Sequence, residues 1–292
     1  MKIKRSASSA VFDTANVIVM VLLAFTTLYP FWNVLALSLA PPVEAEAYGL
    51  MFWPKHPTLS GFKHIFNNRH LLNAFRNSLL RTVIGTCVNV FMNCLVAYPL
   101  SKKYLTLRNA WTGIIVFTMF FSGGLIPTYL MINNLGMIDS FWVLVIPGAI
   151  STYTMIIVRN YFQSLPPDLE ESARIEGANE VTILVRIIMP ISIPIVATIA
   201  LWSAVGHWNA WFDAMIYLRS ESKMVLQLLL YRLITQGTTE MLSNISPELD
   251  YKPTPSIIRS AAIIFTTVPI IMVYPFAQRY FMKGIMIGSL KG

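Results

Sequence analysis

Between its charged side chains the chain holds six long uncharged runs, 14–43, 82–101, 109–138, 140–158, 187–212 and 260–278. A helix needs about 20 mainly apolar residues to cross a bilayer core, and every run supplies that reach. The pattern predicts six spanning helices, at approximately 15–39, 78–101, 110–133, 140–160, 188–214 and 258–281, in one transmembrane domain over 1–292. The next apolar stretch, Met224 to Tyr231, is too short to span. An even number of spans puts both termini on one side.

Composition makes the bilayer the expected solvent. The 292 residues are 55% hydrophobic and 12% charged, against roughly 25% charge in an ordinary soluble domain. The formal net charge of +8 fits anionic headgroups and topology without nucleic acid. Short basic flanks set the orientation. Lys2, Lys4 and Arg5 precede the first span, Lys102, Lys103 and Arg108 follow the second, and Arg279, Lys283 and Lys291 follow the last, whereas the turn after the third holds only Asp139. Both termini are therefore expected in the cytoplasm and Asp139 outside. A signal peptide has an apolar core of roughly 7–15 residues; Val17 to Ala40 exceeds it, so an uncleaved helix is expected. Cys87 and Cys94 fall about 10 Å apart along one helix, too far to bridge.

The long loops 44–75 and 213–258 fall outside and 159–186 falls in the cytoplasm. Turn chemistry marks Pro41-Pro42 and Pro54-Lys55-His56-Pro57. Met224 to Ile234 suits a helix lying at the interface. Asn244-Ile245-Ser246 matches a glycosylation acceptor, a short pattern that recurs by chance.

The cytoplasmic segment 166–188 is more than a plain loop. Pro166-Pro167-Asp168 is a helix-start signal, Leu169 to Glu176 reads as two turns, and Gly177 can end them in the left-handed conformation. Ala178 to Arg186 forms a second piece, and Pro190 and Pro194 sit early in the fifth span, where proline costs least. The helix is acid-rich, which fits an anionic membrane surface poorly. From the residues alone, a connecting interfacial helix and a protein-docking helix both stand.

Glu171, Ala173, Gly177, Ile187 and Pro190 form the pattern E-x-A-x-x-x-G-(x)9-I-x-x-P. It resembles the EAA loop of ABC importer permeases, with Ser172 in place of the usual alanine and Met189 in place of leucine. Gly206-His207-Trp208-Asn209 and the tail from Phe281 to Gly292 resemble carbohydrate-type permeases. The chain is similar along nearly its whole length to the maltose-type second permease, and more so to the LplC-like subgroup, associated with complex oligosaccharides including uronate-containing ones. The resemblance implies an all-α polytopic membrane protein with the type I ABC importer permease fold: six transmembrane helices and a cytoplasmic coupling helix between helices 4 and 5. It implies ATPase docking through Glu171, Ser172, Ala173, Glu176, Gly177, Ile187 and Pro190. Two ATPase subunits would carry the ATP and Mg, leaving this chain without cofactor, and would drive alternating access. A second homologous permease chain and an extracytoplasmic solute-binding protein complete the implied assembly, in the bacterial cytoplasmic (inner) membrane.

Within the spans, Asn89 and Asn93 share a helix face; interhelical bonding and lining a sugar path are both open. Trp202, His207, Trp208, Asn209 and Trp211 cluster near the outer end of span five, where aromatic rings and amides suit sugar and also suit an interfacial belt. Tyr153 is a further candidate. His207 has no second ligand at metal spacing, so no metal is expected. Two other classes compete. An ion-coupled secondary transporter usually carries ionisable residues inside the membrane, and none lies deep in these spans, with Asp213 near a helix end. A membrane enzyme would need a reaction centre, and neither H-E-x-x-H nor G-x-S-x-G occurs. Co-purification of an ATPase separates the first class from both.

The orientation is checked with single cysteines. A cysteine at Ser172 is expected to react with an impermeant thiol reagent only from the cytoplasmic side, and one at Thr238 only from outside. Reversed labelling overturns the topology.

Overall fold

In a computed structural model of the chain, residues 7–47, 51–235 and 253–289 are described; Lys2, Lys4, Arg5, Thr238, the Asn244-Ile245-Ser246 pattern, Lys291 and Gly292 lie outside them. Helices and turns make up the described residues, with no strand among them. In order they are α1 (Ala7–Ser38), α2 (Pro42–Ala45), α3 (Ser60–Asn67), α4 (Arg69–Ser101), α5 (Arg108–Phe120), α6 (Leu125–Asn134), α7 (Thr152–Gln163), α8 (Asp168–Ile175), α9 (Glu180–Ile183), α10 (Met189–Ile191), α11 (Ile193–Asn209), α12 (Phe212–Tyr217), α13 (Leu226–Thr235) and α14 (Pro255–Ser289). By length and composition, three helical stretches can cross a membrane: Val11–Ser38, α4 and Pro255–Val273. Two bent pairs raise this to five, α5 with α6 at 112° and the stretch Glu180–Ile191 with α11 at 87°.

The bends have local causes. Between α5 and α6 lies Gly123-Gly124, with Gly124 at φ +85°. Before α11 comes a π-helical turn, Leu184–Ile188, followed by Pro190 and Pro194 around Ser192; wide turns and prolines are the usual origins of kinks. The uncharged run 140–158 is composite. A 3-10 turn, Phe141–Leu144, leads through Pro147-Gly148 into α7, which Ser151 caps by accepting from the Thr154 amide. Pro147 and Gly148 oppose a continuous helix here, and α7 alone reaches only about 18 Å.

Two compact units emerge, Met1–Arg69 with Arg232–Thr267 and His70–Tyr231 with Val268–Gly292. In the first, Trp32 packs on Trp53 and donates its indole N–H to the Phe52 carbonyl at 2.6 Å. Phe66 meets Phe265 edge to face.

The second unit is built on α4. Arg81, Gly85, Asn89, Asn93, Ala97 and Ser101, spaced four apart, are all buried and form one ridge of the helix. Toward its C-terminal end Cys94, Ala97 and Tyr98 pack with Met155, Val158 and Phe162 of α7, Ala173 of α8, and Ile183, Leu184, Ile188 and Ile199. A second cluster joins Ile132, Val143, Leu144, Ala214, Tyr217, Leu218 and Leu228. Gly85 is required by close approach: a Cβ there would sit 2.6 Å from Nε2 of His207. Cys87 is exposed, Cys94 is buried, and both are free.

The α13 helix forms where an interfacial helix is expected, and it turns Leu226, Leu228 and Leu233 inward. The α4 helix also carries a buried charge. The α4 helix starts well before residue 82, so Arg81 lies inside it, 2% exposed, donating to the Asp213 carboxylate through both terminal nitrogens. Charge-free runs missed it because Arg81 itself marks the boundary of one.

Asp139, at φ +56°, staples its turn to 219–223. It accepts from the Ser220 hydroxyl at 2.5 Å and from the Arg219 and Ser220 amides at 3.0 Å, and pairs with Lys223. The Ser220 hydroxyl first, then these amides, holds its carboxyl well below the usual carboxylate range. A depressed acid contributes its stability above the unfolded pKa, about 3.9, and loses it as pH falls through the folded value. The staple therefore holds at neutral pH.

Candidate functional site

The segment between α7 and α11 is shaped by its own sequence. Asp168, Glu170 and Glu171 occupy the first turn of α8, where acids complement the helix dipole. At its end Gly177 adopts φ +84°. The Gly177 amide donates to Arg174 O and the Ala178 amide to Ala173 O, both at 3.0 Å; this is the Schellman pattern, which favours glycine at that position. Asn179 then caps α9, accepting from the Thr182 amide at 2.8 Å.

The two faces of α8 differ. Glu170 and Ala173, 8% and 6% exposed, point into the protein. Glu170 pairs with Lys102 just beyond α4, and Lys102 also lies 4.2 Å from the Tyr98 ring centre. Arg174 reaches Glu180 at 2.9 Å, while Glu180 accepts from the Tyr98 hydroxyl at 2.9 Å. Tyr104 joins them; burial first, then the Glu180 carboxylate, raises its pKa. The outer face leaves Glu171, Ser172, Glu176, Gly177 and Ile175 exposed, Ile175 at 88%. Ile175 stands on an otherwise charged face and lies outside the expected docking set. Of the expected docking set, Ala173 is buried in the core and Ile187, partly buried, packs against it. Pro190 is exposed and starts the turn before the bend.

At the other end of α4 lies a cavity of about 460 Å³ lined by Arg81, Asn89, Ser203, His207, Asp213 and Tyr217 among others. Two expected pathway residues, Asn89 and His207, meet there. Arg81, Ser203, Asp213 and Tyr217 were not expected; only the four-residue stripe 81-85-89-93 in the sequence points to the first. Arg81 also donates to Ala210 O at 3.2 Å, at the break between α11 and α12. Asn89 donates to Gly148 O at 3.1 Å and Asn93 to Asn89 O at 2.7 Å, while Asn93 accepts from the Ser151 amide at 3.2 Å. Both amides thus serve the non-helical stretch 145–151, which a bilayer interior would otherwise leave unsatisfied.

The remaining candidates are dispersed. Tyr153 and Trp202 stack at 6.4 Å and both are exposed. Trp208 is buried against Phe75. Trp211 stacks on Tyr231 at 4.1 Å. Asn209 is exposed and donates to Val205 O in its own helix at 3.0 Å. Among the described residues no group of three acidic, cysteine or histidine side chains could hold a metal ion.

A multi-helix chain with a capped helical loop at one end of α4 and a cavity at the other has the build of a membrane translocation component. The chain belongs to the family described as binding-protein-dependent transport system inner membrane component, matched over residues 71–287. It is 39% identical over 282 residues to Protein LplC of Bacillus subtilis (strain 168), covering 97% of this chain and 95% of that one. It is 37% identical over 278 residues to the polygalacturonan/rhamnogalacturonan transport system permease protein YtcP of the same organism, covering 94% and 96%. Among solved structures it resembles a chain of a bacterial ABC transporter involved in the import of the acidic polysaccharide alginate, with TM-score 0.89 and 30% identity over 96% of this chain and 100% of that one. The fold is that of an ABC importer permease, and the chain is a permease subunit, not an enzyme.

The Schellman turn gives a test. No atom lies within 4 Å of a Cβ built on Gly177, so within this chain a substitution meets only the positive φ. Asn tolerates that conformation and Leu does not. Gly177→Leu is expected to lower sugar-stimulated ATPase activity of the reconstituted complex strongly while membrane insertion stays intact, with Gly177→Asn intermediate. Unchanged stimulation in both removes this turn from the ATPase contact.

Proposed function

We propose that this chain is one half of the translocation pathway of an ATP-driven importer that moves an oligosaccharide, of the uronate-containing class, across the bacterial cytoplasmic membrane by alternating access. The observation that carries the reading is α8. Its buried face is tied to the end of α4, while Glu171, Ser172, Ile175 and Glu176 stand exposed, as a helix seated in another protein's groove requires. Glu171, Ser172, Ala173, Glu176, Gly177, Ile187 and Pro190 form or support that docking loop. Two ATPases bind and hydrolyse ATP with Mg; a second permease encloses the other half of the path; an external binding protein delivers the sugar. The neighbouring structures support such partners, since one is a bacterial alginate ABC transporter in complex with a pentasaccharide-bound periplasmic protein. The names of the polygalacturonan and alginate systems support the sugar class.

In this reading six spans cross the membrane, both termini are cytoplasmic, and the run 140–160 crosses as a composite segment braced by Asn89 and Asn93. Asn89 and His207 face the cavity. Tyr153, Trp202, Trp208, Asn209 and Trp211 line or frame the path toward its outer end. Neutralisation of Arg81 by Asp213 agrees with a route that carries no coupling ion.

The test uses the complex with its partner permease, ATPases and binding protein in vesicles, offered oligogalacturonates and alginate oligosaccharides beside neutral maltodextrins. Uptake of an acidic oligosaccharide, and stimulation of ATP hydrolysis by it, are expected. Asn209→Ala removes an amide worth about 1–3 kcal/mol if it bonds a sugar hydroxyl. It is expected to slow uptake severalfold with assembly and basal ATP hydrolysis retained. Uptake of maltodextrins alone overturns the sugar class, and failed assembly makes Asn209 a helix contact.

A further inference from the structure

Two charge pairs lie on one uninterrupted helix. Near the N-terminal third of α4, Arg81 holds Asp213 at the start of α12 and the Ala210 carbonyl at the α11 break. Just past its C-terminus, Lys102 holds Glu170 of α8. The separation of positions 81 and 102 along a helix is about 30 Å, the thickness of a bilayer's hydrocarbon core. That spacing suits pairs placed at the two boundaries of a bilayer, where charge costs least.

Neither pair is an ordinary surface contact. The side chains of Lys102 and Glu170 are 10% and 11% exposed; that of Arg81 is 3% exposed, and its partner Asp213 is 32% exposed at the cavity wall. Removing one partner from such a pair leaves a buried charge uncompensated, so the helices they join are held to move together. At the α8 end a second strut runs from Arg174 through Glu180 to Tyr98 of α4. At the other end Arg81, Ala210 and Asp213 are themselves walls of the 460 Å³ cavity.

Stiffness separates α4 from its neighbours. Two neighbouring helical pairs in this unit are bent by 112° and 87°, and a bent helix absorbs a push at its hinge. By contrast, α4 runs unbroken for 33 residues, with Pro99 only in its last turn.

We propose that α4 is the lever of this permease, with Lys102–Glu170 as the input pin and Arg81–Asp213 as the output pin, so that displacement of α8 by an ATPase shifts the wall of the cavity. The inference rests on the docking role of α8 proposed above and adds the route by which that motion reaches the sugar path. Lys102, Glu170, Arg81 and Asp213 are positioning residues: they act through α4.

The test reads the cavity while ATP acts at the far side. The complete complex in nanodiscs carries Cys87→Ser, which removes the exposed thiol and leaves only buried Cys94, together with Ser203→Cys in the cavity wall. Maleimide labelling at 203 is timed without nucleotide and with Mg-ATP plus vanadate. In this reference complex the rate is expected to change severalfold. In Glu170→Ala the change is expected to vanish while ATP hydrolysis persists, and in the swap Lys102→Glu/Glu170→Lys it is expected to return. A Glu170→Ala complex that keeps the full change overturns the lever and leaves the importer reading intact. A reference complex that shows no change removes the importer reading, and the lever with it. If the swapped pair assembles without restoring the change, or if neither variant assembles, the pair serves folding only and the proposal falls.

Discussion

A bilayer interior offers no water to a bare carbonyl or amide, and this chain breaks its helices repeatedly where it reads as membrane-spanning. The repair falls largely to one ridge of α4. Asn89 and Asn93 satisfy the irregular stretch 145–151, and Arg81 takes the Ala210 carbonyl at the end of α11. Gly85, in the same ridge, lets the His207 ring lie against the helix. Broken segments confer the irregular walls that a cavity needs, and an unbroken polar ridge makes the breaks tolerable.

The same ridge runs between two ends, at α8 and at the cavity. At one, α8 buries Glu170 and Ala173 and leaves Glu171, Ser172, Ile175 and Glu176 exposed. At the other, the cavity gathers Arg81, Asn89, Ser203, His207 and Asp213. Neither end is a reaction centre. What the chain can do chemically is bind, move and be moved, which is what a permease subunit contributes to an importer.

Much of this was legible in the sequence. The Pro-Asp start, the two turns and the Gly177 stop of the cytoplasmic segment follow from local chemistry, and α8 ends in the conformation glycine favours. The long apolar helices follow from the hydrophobic runs. Less legible was whatever depends on tertiary partners. A run free of charge says nothing about bends, so Gly123-Gly124, Ser192 and Pro147-Gly148 divide runs that hydrophobicity alone presents as continuous. Taking charges as boundaries hid Arg81, which is buried because Asp213, 132 residues away, neutralises it. The aromatic cluster of span five looks like one site in sequence, yet helical rotation sends Trp208 inward and leaves Trp202 and Asn209 exposed. Ala173 was expected at a partner's surface and lies in the core, while Ile175, two residues on, is the exposed apolar side chain.

The central claim is that the outer face of α8 meets an ATPase. A photo-crosslinking amino acid placed at Ile175 in the native membrane tests it most directly. The account predicts one dominant adduct, to an ABC ATPase subunit, that is lost when the ATPases are not expressed. Adducts confined to lipid or to the permease chains would contradict it.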